Sequence, residues 1–190
     1  MSPYATINAA DAVSTYILAK DRNRPQLMKD AFAVDCELEM VVKTDAISFP
    51  SSAKGLVQVT EVLVTSFGDQ YENVRTFCLS RPSLEYLPHF RCDWLVGMSA
   101  RQGGAVRVGC GHYDWHFRSG DGGRVEKLAI EIEVMSVLPV ETLKPIMQWL
   151  VALPYPWCSS IQACESIPAI EALGPIKRFL EATEETKQQP

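Results

Sequence analysis

The sequence has no excess of basic residues. Its 18 Lys and Arg residues are outnumbered by 23 Asp and Glu residues, which gives a formal net charge of -5 at pH 7. Proteins that hold nucleic acids rely on clusters of Lys and Arg to neutralise phosphates. We therefore expect no nucleic-acid partner.

Long apolar runs are also missing. No stretch approaches the roughly 18 consecutive apolar residues that a membrane-spanning helix requires. The first residues, Met1 to Ala5, lack the charged region followed by an apolar segment that marks a secretory signal. We therefore expect a protein that does not associate with membranes and resides in the cytoplasm.

The sequence has six cysteines, but no two of them form a C-x-x-C pair. They lie in apolar or strand-like stretches, whereas disulfide frameworks and zinc sites use characteristically spaced cysteines. This placement predicts reduced thiols in the core and no structural zinc. The six are Cys36, Cys78, Cys92, Cys110, Cys158 and Cys164.

The composition is that of an ordinary globular protein. The 190 residues are 47% hydrophobic and 22% charged, which is enough to bury one sizeable core. We expect one main domain, residues 1–139, and a helical extension, residues 140–190, packed on that domain or on a second subunit.

The predicted elements run helix, helix, strand, helix and then several strands. Apolar periodicity predicts helices at 8–20, 25–32 and 55–67, and strands at 36–43, 73–79, 89–98, 105–117 and 124–138. Strands joined by short turns favour an antiparallel sheet with helices on one face, an α+β fold. Beyond residue 139, helices are predicted again at 140–152 and 168–183.

Three features in this order resemble the nuclear transport factor 2-like superfamily. They are Tyr16 on the first helix, Phe32 and Asp35 at the start of the first strand, and Gly111-x-Tyr113-x-x-x-Phe117 before a glycine hairpin. The similarity is greatest to the SnoaL-like group of polyketide cyclases, dehydratases and ketosteroid isomerases, and covers about two thirds of the chain. It implies a cone-shaped, cystatin-like sheet that curls around the N-terminal helices and encloses a small-molecule pocket. It also implies a homodimer formed through the outer face of the sheet.

The resemblance assigns two catalytic candidates. Tyr16 matches a tyrosine that donates a hydrogen bond to a developing enolate oxygen, the alternative being a core tyrosine with its hydroxyl at the rim. His89 matches a histidine that faces the cavity in the dehydratases, where an imidazole can transfer protons near neutral pH. The alternative for His89 is a strand-edge histidine bonded to a backbone carbonyl.

The catalytic carboxylates of these relatives have no counterpart in the sequence. Met40 falls where the isomerases carry a carboxylate on the first strand, and Leu18 falls where the dehydratases carry an aspartate on the first helix. Neither side chain can act as a base. Both are expected to line the pocket, and any chemistry needs a base from elsewhere.

The stretch from Gly111 to Arg118 offers that base in one of two registers. Strand alternation places His112, Asp114 and His116 on one face and Tyr113, Trp115 and Phe117 on the other. If the apolar residues Val106, Val108 and Cys110 face inward, continued alternation also turns His112 and Asp114 inward. There they would form a candidate general base. Alignment on the family motif instead turns Tyr113, Trp115 and Phe117 into the pocket, and a bulge near Gly109 or Gly111 leaves both registers open.

The same stretch also resembles a metal-ligand set. His112, Asp114 and His116 have a suitable composition, but alternating polar residues on a flat strand more often form a solvated or dimer-facing surface. We therefore expect no metal.

Two functional hypotheses follow. The first is a cofactor-independent isomerase, dehydratase or cyclase acting on a small, largely apolar carbonyl or hydroxyl compound, with Tyr16 polarising oxygen and His89, Asp114 or His112 moving protons. The second is a non-catalytic ligand-binding or dimeric assembly module whose pocket is filled by its own side chains.

Overall fold

The computed structural model describes residues 7–120 and 122–188, with side chains described as far as Thr183. The sequence features noted at residues 1–5 lie outside these ranges, as does Asp121 of the predicted hairpin. The helices are α1 (Ala9–Asp21), α2 (Met28–Ala31), α3 (Leu56–Thr60), α4 (Ser66–Gln70), α5 (Leu143–Ala152), α6 (Ser160–Glu165) and α7 (Gly174–Gln188). The strands are β1 (Phe32–Val42), β2 (Ser52–Lys54), β3 (Tyr71–Cys78), β4 (His89–Ala100), β5 (Val106–Phe117) and β6 (Val125–Leu138).

The first helix begins where the sequence predicts. The Asn8 side chain accepts a hydrogen bond from the Asp11 backbone N–H at 2.8 Å, which satisfies one of the free donors at the start of α1. A π-helical turn, Glu61–Thr65, joins α3 to α4, so residues 56–70 form a nearly continuous helix. These helices cover one face of the sheet, which we call the inner face.

The six strands form one sheet in the order β2-β1-β6-β5-β4-β3. All neighbours are antiparallel except β1 and β6, which are parallel. The predicted antiparallel pairing therefore holds at every neighbouring pair but this one, and the sheet is mixed. A parallel pair needs a long crossover connection between its two strands. The chain between β1 and β6, the first and last long strands, forms this connection.

The other face of the sheet, the outer face, carries a second hydrophobic core. The helices α5 and α7 pack on it through Ile146, Leu150 and Ile176. The contact with α5 is close, because a Cβ built on Gly97 would lie 2.1 Å from the Leu150 Cδ1 atom. The C-terminal helices of the chain therefore cover part of the surface through which the resemblance implies dimerisation.

This second core decides the register of β5. Val106, Val108 and Cys110 are buried on the outer face beneath the C-terminal helices. The sequence-based register that turned these residues inward is therefore wrong, because it assumed that the sheet has a single apolar face. The alternation continues without reversal, so the even-numbered residues of β5 face outward and the odd-numbered residues face inward.

Glycine at position 111 fits a close approach between strands. A Cβ at that position would lie only 1.9 Å from the Glu131 backbone oxygen of β6. The register of the β5–β6 pair shifts between Cys110 and Gly111. The irregularity leaves the alternation of β5 intact.

All six cysteines are free thiols, and five of them are buried. Burial raises the pKa of the Cys36 thiol to about 11, and it also raises the pKa of Cys110. Buried thiols with raised pKa values are poor nucleophiles.

We expect a maleimide to label one cysteine, Cys164, in the folded protein, because Cys164 is the one that is partly exposed. Mass spectrometry should show a single rapid adduct, and Cys164→Ser should remove it. Labelling of a second thiol at a comparable rate in the folded chain would contradict this burial pattern.

Within the described residues, no helix combines the length and the apolar character that crossing a bilayer demands.

Candidate functional site

A small cavity lies between the N-terminal helices and the inner face of the sheet. Its volume is about 40 Å³. Most of its lining is apolar and includes Met40, Phe67 and Met98. The polar side chains that reach it come from α1, β4 and β5 and are Tyr16, Lys20, Trp94 and Tyr113.

The Tyr16 hydroxyl is a buried donor with no hydrogen-bond partner among the described residues. The Tyr113 hydroxyl is near enough to influence the pKa of Tyr16 but is not in hydrogen-bonding geometry. Burial raises the pKa of Tyr16 well above its usual range, so this phenol stays neutral. The indole N–H of Trp94, also at the cavity wall, lacks a partner as well. Two residues of the cavity lining therefore carry donors without a partner.

Lys20 also lines this cavity. Its side chain is 10% exposed, and its Nζ atom donates a hydrogen bond to Thr76 Oγ1 at 2.7 Å. The same Nζ atom lies 4.6 Å from the centre of the Phe67 ring. Burial lowers the pKa of Lys20, while the neighbouring Asp21 carboxylate opposes this shift. Burial thus disfavours the charged amine, and the Asp21 carboxylate is the group that stabilises its charge.

Lys20 is not among the site residues predicted from the sequence, although its position on α1 gives a signal for it. Lys20 lies four residues after Tyr16 on α1, and residues at this spacing share one face of a helix. Leu18, at the intermediate position, points away from that face and is 38% exposed. The prediction that Leu18 lines the pocket is therefore wrong, because the helical period carries it to the surface.

Asp21 lies next to the Lys20 amine and binds the polar groups around it. Its carboxylate accepts hydrogen bonds from the Thr76 backbone N–H and from the Thr76 hydroxyl, both at 2.7 Å. It also accepts one from the Tyr155 hydroxyl at 2.9 Å. Tyr155 belongs to the C-terminal extension, so a segment outside the family resemblance supports the cavity. We call Lys20, Asp21, Thr76 and Tyr155 the buried polar cluster.

A loop between β1 and β2 forms part of the cavity wall. Ile47 and Phe49 of this loop contribute to its lining, and Phe49 stacks on Phe67 with ring centres 6.4 Å apart. The Arg107 side chain donates a long hydrogen bond of 3.4 Å from Nε to the Ala46 carbonyl oxygen, which ties the loop to β5.

The predicted pocket residues on the sheet lie on the inner face. Met40 and Tyr113 line the cavity. Trp115 and Phe117 are buried in the same core, and Trp115 contacts Tyr16 with ring centres 5.4 Å apart. The register derived from the family motif is therefore the one that the protein adopts.

The predicted proton-transfer residues lie across the sheet from the cavity. His89, His112 and Asp114 are on the outer face, so placing them in the pocket with Tyr16 is wrong. His89 Nε2 lies 2.5 Å from Asp114 Oδ1, and His112 Nδ1 lies 2.5 Å from an oxygen of Asp93. The reason is the second core, which fixes the even-numbered positions of β5 outward.

Comparison with known proteins identifies the fold of the chain but not its chemistry. No protein-family model matches the chain, and no curated protein matches its sequence. A hexachlorocyclohexane dehydrochlorinase, LinA-type3, from Novosphingobium barchaimii LL02 superposes with a TM-score of 0.55 and 14% identity, over 67% of this chain and 86% of that chain. A nuclear transport factor 2-like superfamily protein from Salmonella enterica subsp. enterica serovar Typhimurium str. LT2 gives 0.51 and 16%, over 66% and 88%.

A further solved structure has a bound small molecule. It is a protein of ketosteroid isomerase-like fold from Catenulispora acidiphila DSM 44928 in complex with trimethylamine, with a TM-score of 0.50 and 14% identity, over 65% of this chain and 85% of that chain. The chain therefore has the nuclear transport factor 2-like, ketosteroid isomerase-like α+β fold. The superpositions cover about two thirds of the chain, as the sequence resemblance implied. The homodimer stays a prediction.

Proposed function

We propose that the cavity binds a small, largely apolar carbonyl or hydroxyl compound and that the protein is a cofactor-independent lyase, isomerase or cyclase of the SnoaL-like kind. The observation that carries the proposal is the unpartnered, buried hydroxyl of Tyr16 in a cavity that Lys20 also lines. A buried donor without a partner costs folding free energy, so a ligand oxygen that accepts its hydrogen bond offsets that cost.

The two side chains have complementary roles in this proposal. Tyr16 donates a hydrogen bond to an oxygen that becomes negative in the transition state, and a neutral phenol in a low-dielectric site is well suited to that role. Lys20, with its pKa lowered by burial, supplies the base that removes a proton next to that oxygen. Lys20 thus replaces His89, His112 and Asp114 as the proposed base.

Two of the structural neighbours support this class of chemistry. One is described as a dehydrochlorinase, an enzyme that eliminates a proton and a chloride from its substrate. Another is in complex with trimethylamine, a small molecule. The fold therefore accommodates both small ligands and elimination chemistry, although the residues that act differ from protein to protein.

The size of the cavity requires a movement for binding. Its volume of about 40 Å³ is far below the roughly 300–1,000 Å³ of typical ligand pockets. Ile47 and Phe49 lie on a loop, so the β1–β2 loop is the part of the lining that can open with the least disturbance of the sheet.

We expect the protein to exchange the protons next to the carbonyl of small cyclic ketones for deuterium in D2O, which NMR measures without knowledge of the natural substrate. Tyr16→Phe should slow the exchange by about 100-fold to 1,000-fold. Lys20→Met should slow it by at least about 100-fold. Phe49→Ala should increase ketone affinity by widening the entrance.

Two matched controls make the test specific. Tyr71→Phe changes a tyrosine that does not line the cavity, and Lys29→Met changes an exposed lysine. Both should exchange protons at the rate of the unmodified chain. If Tyr16→Phe and Lys20→Met behave like these controls, the catalytic proposal fails.

The small cavity also favours a second candidate function, a binding or assembly module with a filled pocket. In that case no ketone binds, and Tyr16→Phe raises the free energy of unfolding by removing a buried hydroxyl without a partner. Binding of a ketone that depends on Tyr16 would exclude this candidate.

A further inference from the structure

The three histidines of the chain all lie on the outer face of the sheet, on β4 and β5. Two of them share one carboxylate. Asp114 Oδ1 lies 2.5 Å from His89 Nε2 and 3.1 Å from His116 Nε2. The antiparallel ladder pairs His89 with His116, and Asp114 lies two residues before His116 on the same face. The imidazole rings are 4.7 Å apart between centres.

We propose that His89, Asp114 and His116 form a binding site for a divalent transition-metal ion. The nitrogen and oxygen atoms that would bind it all lie within 4.8 Å of one another. In a tetrahedral site with bonds of about 2.0–2.1 Å, ligand atoms are about 3.3 Å apart. The two histidine–carboxylate distances of 2.5 and 3.1 Å are therefore each shorter than this spacing by less than about 1 Å.

The donor set selects the class of metal. Two imidazoles and one carboxylate suit Zn²⁺, Co²⁺, Ni²⁺ and Cu²⁺, whereas Mg²⁺ and Ca²⁺ prefer sites made of oxygen atoms. The side chains of His89, His116 and Asp114 are 47%, 42% and 31% exposed. An ion can therefore enter directly from solvent, and water completes its coordination.

This site differs from the one that the sequence suggested. His112 lies on the same strand face as Asp114 and His116, but its imidazole pairs with Asp93 at 2.5 Å and contacts Phe179 of α7. The neighbouring strand β4 brings His89 into its place. The expectation of no metal rested on a single flat strand, whereas the site is built from two.

Among the positive charges near the site, that of Arg91 provides a test. The Arg91 guanidinium lies 3.8 Å from Asp114, with Nε nearest Oδ2, the oxygen that does not face the histidines. Arg91 is exposed, so its positive charge weakens metal binding through solvent without blocking the site. Removal of this charge should strengthen binding, an effect that a purely structural role for Asp114 does not predict.

The described residues contain a second candidate group, His112 with Glu131 and Glu133. Its two carboxylates are already bound by the Lys43 ammonium at 2.7 and 2.8 Å. These carboxylates hold the pKa of Lys43 at about 12, so the cation remains in place. This group is the less favourable site, and His112 serves as the internal control.

The experiment is calorimetric titration of the tag-free chain with ZnCl2, repeated with CoCl2 to record the visible absorption of bound Co²⁺. We expect one site per chain. His89→Gln and His116→Gln should each weaken Zn²⁺ binding by about 100-fold or more, since even outer ligand partners contribute 10–100-fold. Arg91→Gln should strengthen it about threefold to tenfold at low salt.

The control variants are His112→Gln and Cys164→Ser, which should bind Zn²⁺ like the unmodified chain. A second readout does not depend on any substitution: Ni²⁺ should broaden the imidazole NMR signals of His89 and His116 before that of His112. Absence of Zn²⁺ binding, or binding that is lost in His112→Gln and retained in His116→Gln, would overturn the proposal.

Discussion

Asp21→Asn is expected to lower the free energy of unfolding by about 3–5 kcal/mol, the range for breaking a buried ion pair by removing one partner. The Asp21 carboxylate accepts two hydrogen bonds from Thr76 and one from Tyr155. An amide has one oxygen and two N–H groups, so it must point a donor at a group that is itself a donor. The Lys20 ammonium would also lose its neighbouring negative charge.

A second substitution, at Lys20, separates the loss of the charge interaction from the loss of hydrogen bonds. In Asp21→Asn the buried ammonium is uncompensated, whereas in the double variant Asp21→Asn with Lys20→Met no charge remains in the cluster. We therefore expect the double variant to be more stable than Asp21→Asn alone. A thermodynamic cycle of the two substitutions measures this coupling directly.

Urea unfolding followed by circular dichroism measures the stability of each variant. Asp69→Asn, at an exposed position of α4, is the matched control and should change stability by less than about 0.5 kcal/mol. Equal stabilities of Asp21→Asn and Asp69→Asn would show that the buried polar cluster does not stabilise the fold.

A chain that ends at Pro139 is expected to lose its cooperative unfolding transition. Without α5, α6 and α7, the outer face would expose a contiguous apolar surface, and such surfaces cause aggregation. Burial stabilises by roughly 25 cal/mol per Å² of apolar area, so loss of this core removes a large share of the marginal stability of a domain. The apolar residues that would be uncovered include Phe77, Leu95, Val106, Val108 and Cys110.

A single substitution gives a graded version of this prediction. Leu150→Ala, at the contact between α5 and Gly97, should cost about 2–5 kcal/mol in the free energy of unfolding, as for other buried leucines. Val151→Ala on the same helix should cost less than about 0.5 kcal/mol because Val151 is 61% exposed.

Size-exclusion chromatography and thermal unfolding distinguish the outcomes. Aggregation or loss of the unfolding transition in the shortened chain supports the interpretation that the extension is part of the folding unit. A monodisperse shortened chain with a sharp transition would show instead that residues 1–139 fold as an independent domain, as the sequence analysis divided it.

Much of the fold could be predicted because its long elements have clear periods. The helix at Ala9–Asp21 and the strands at His89–Ala100, Val106–Phe117 and Val125–Leu138 lie within a few residues of their predicted bounds. The short strand Ser52–Lys54 has no counterpart among the predicted strands, since three residues are too few to show alternation.

The candidate site was less predictable because its members are far apart in sequence. Tyr16 came from the family resemblance, and Lys20 could have been found from helical spacing alone. Asp21 meets Thr76 across 55 residues and Tyr155 across 134 residues, and no local pattern reports such contacts. The pairing of His89 with Asp114 similarly depends on the register between two strands.

The sequence by itself determined which side chains of β5 share a face, because alternation along a strand follows from backbone geometry. It could not determine which of the two faces looks toward α1, since both sets contain buried residues and the sheet has a core on each side. Only the packing of the C-terminal helices against Val106, Val108 and Cys110 decided that question. The same packing put Tyr113 beside Tyr16 and left His89, Asp114 and His116 together on the opposite face.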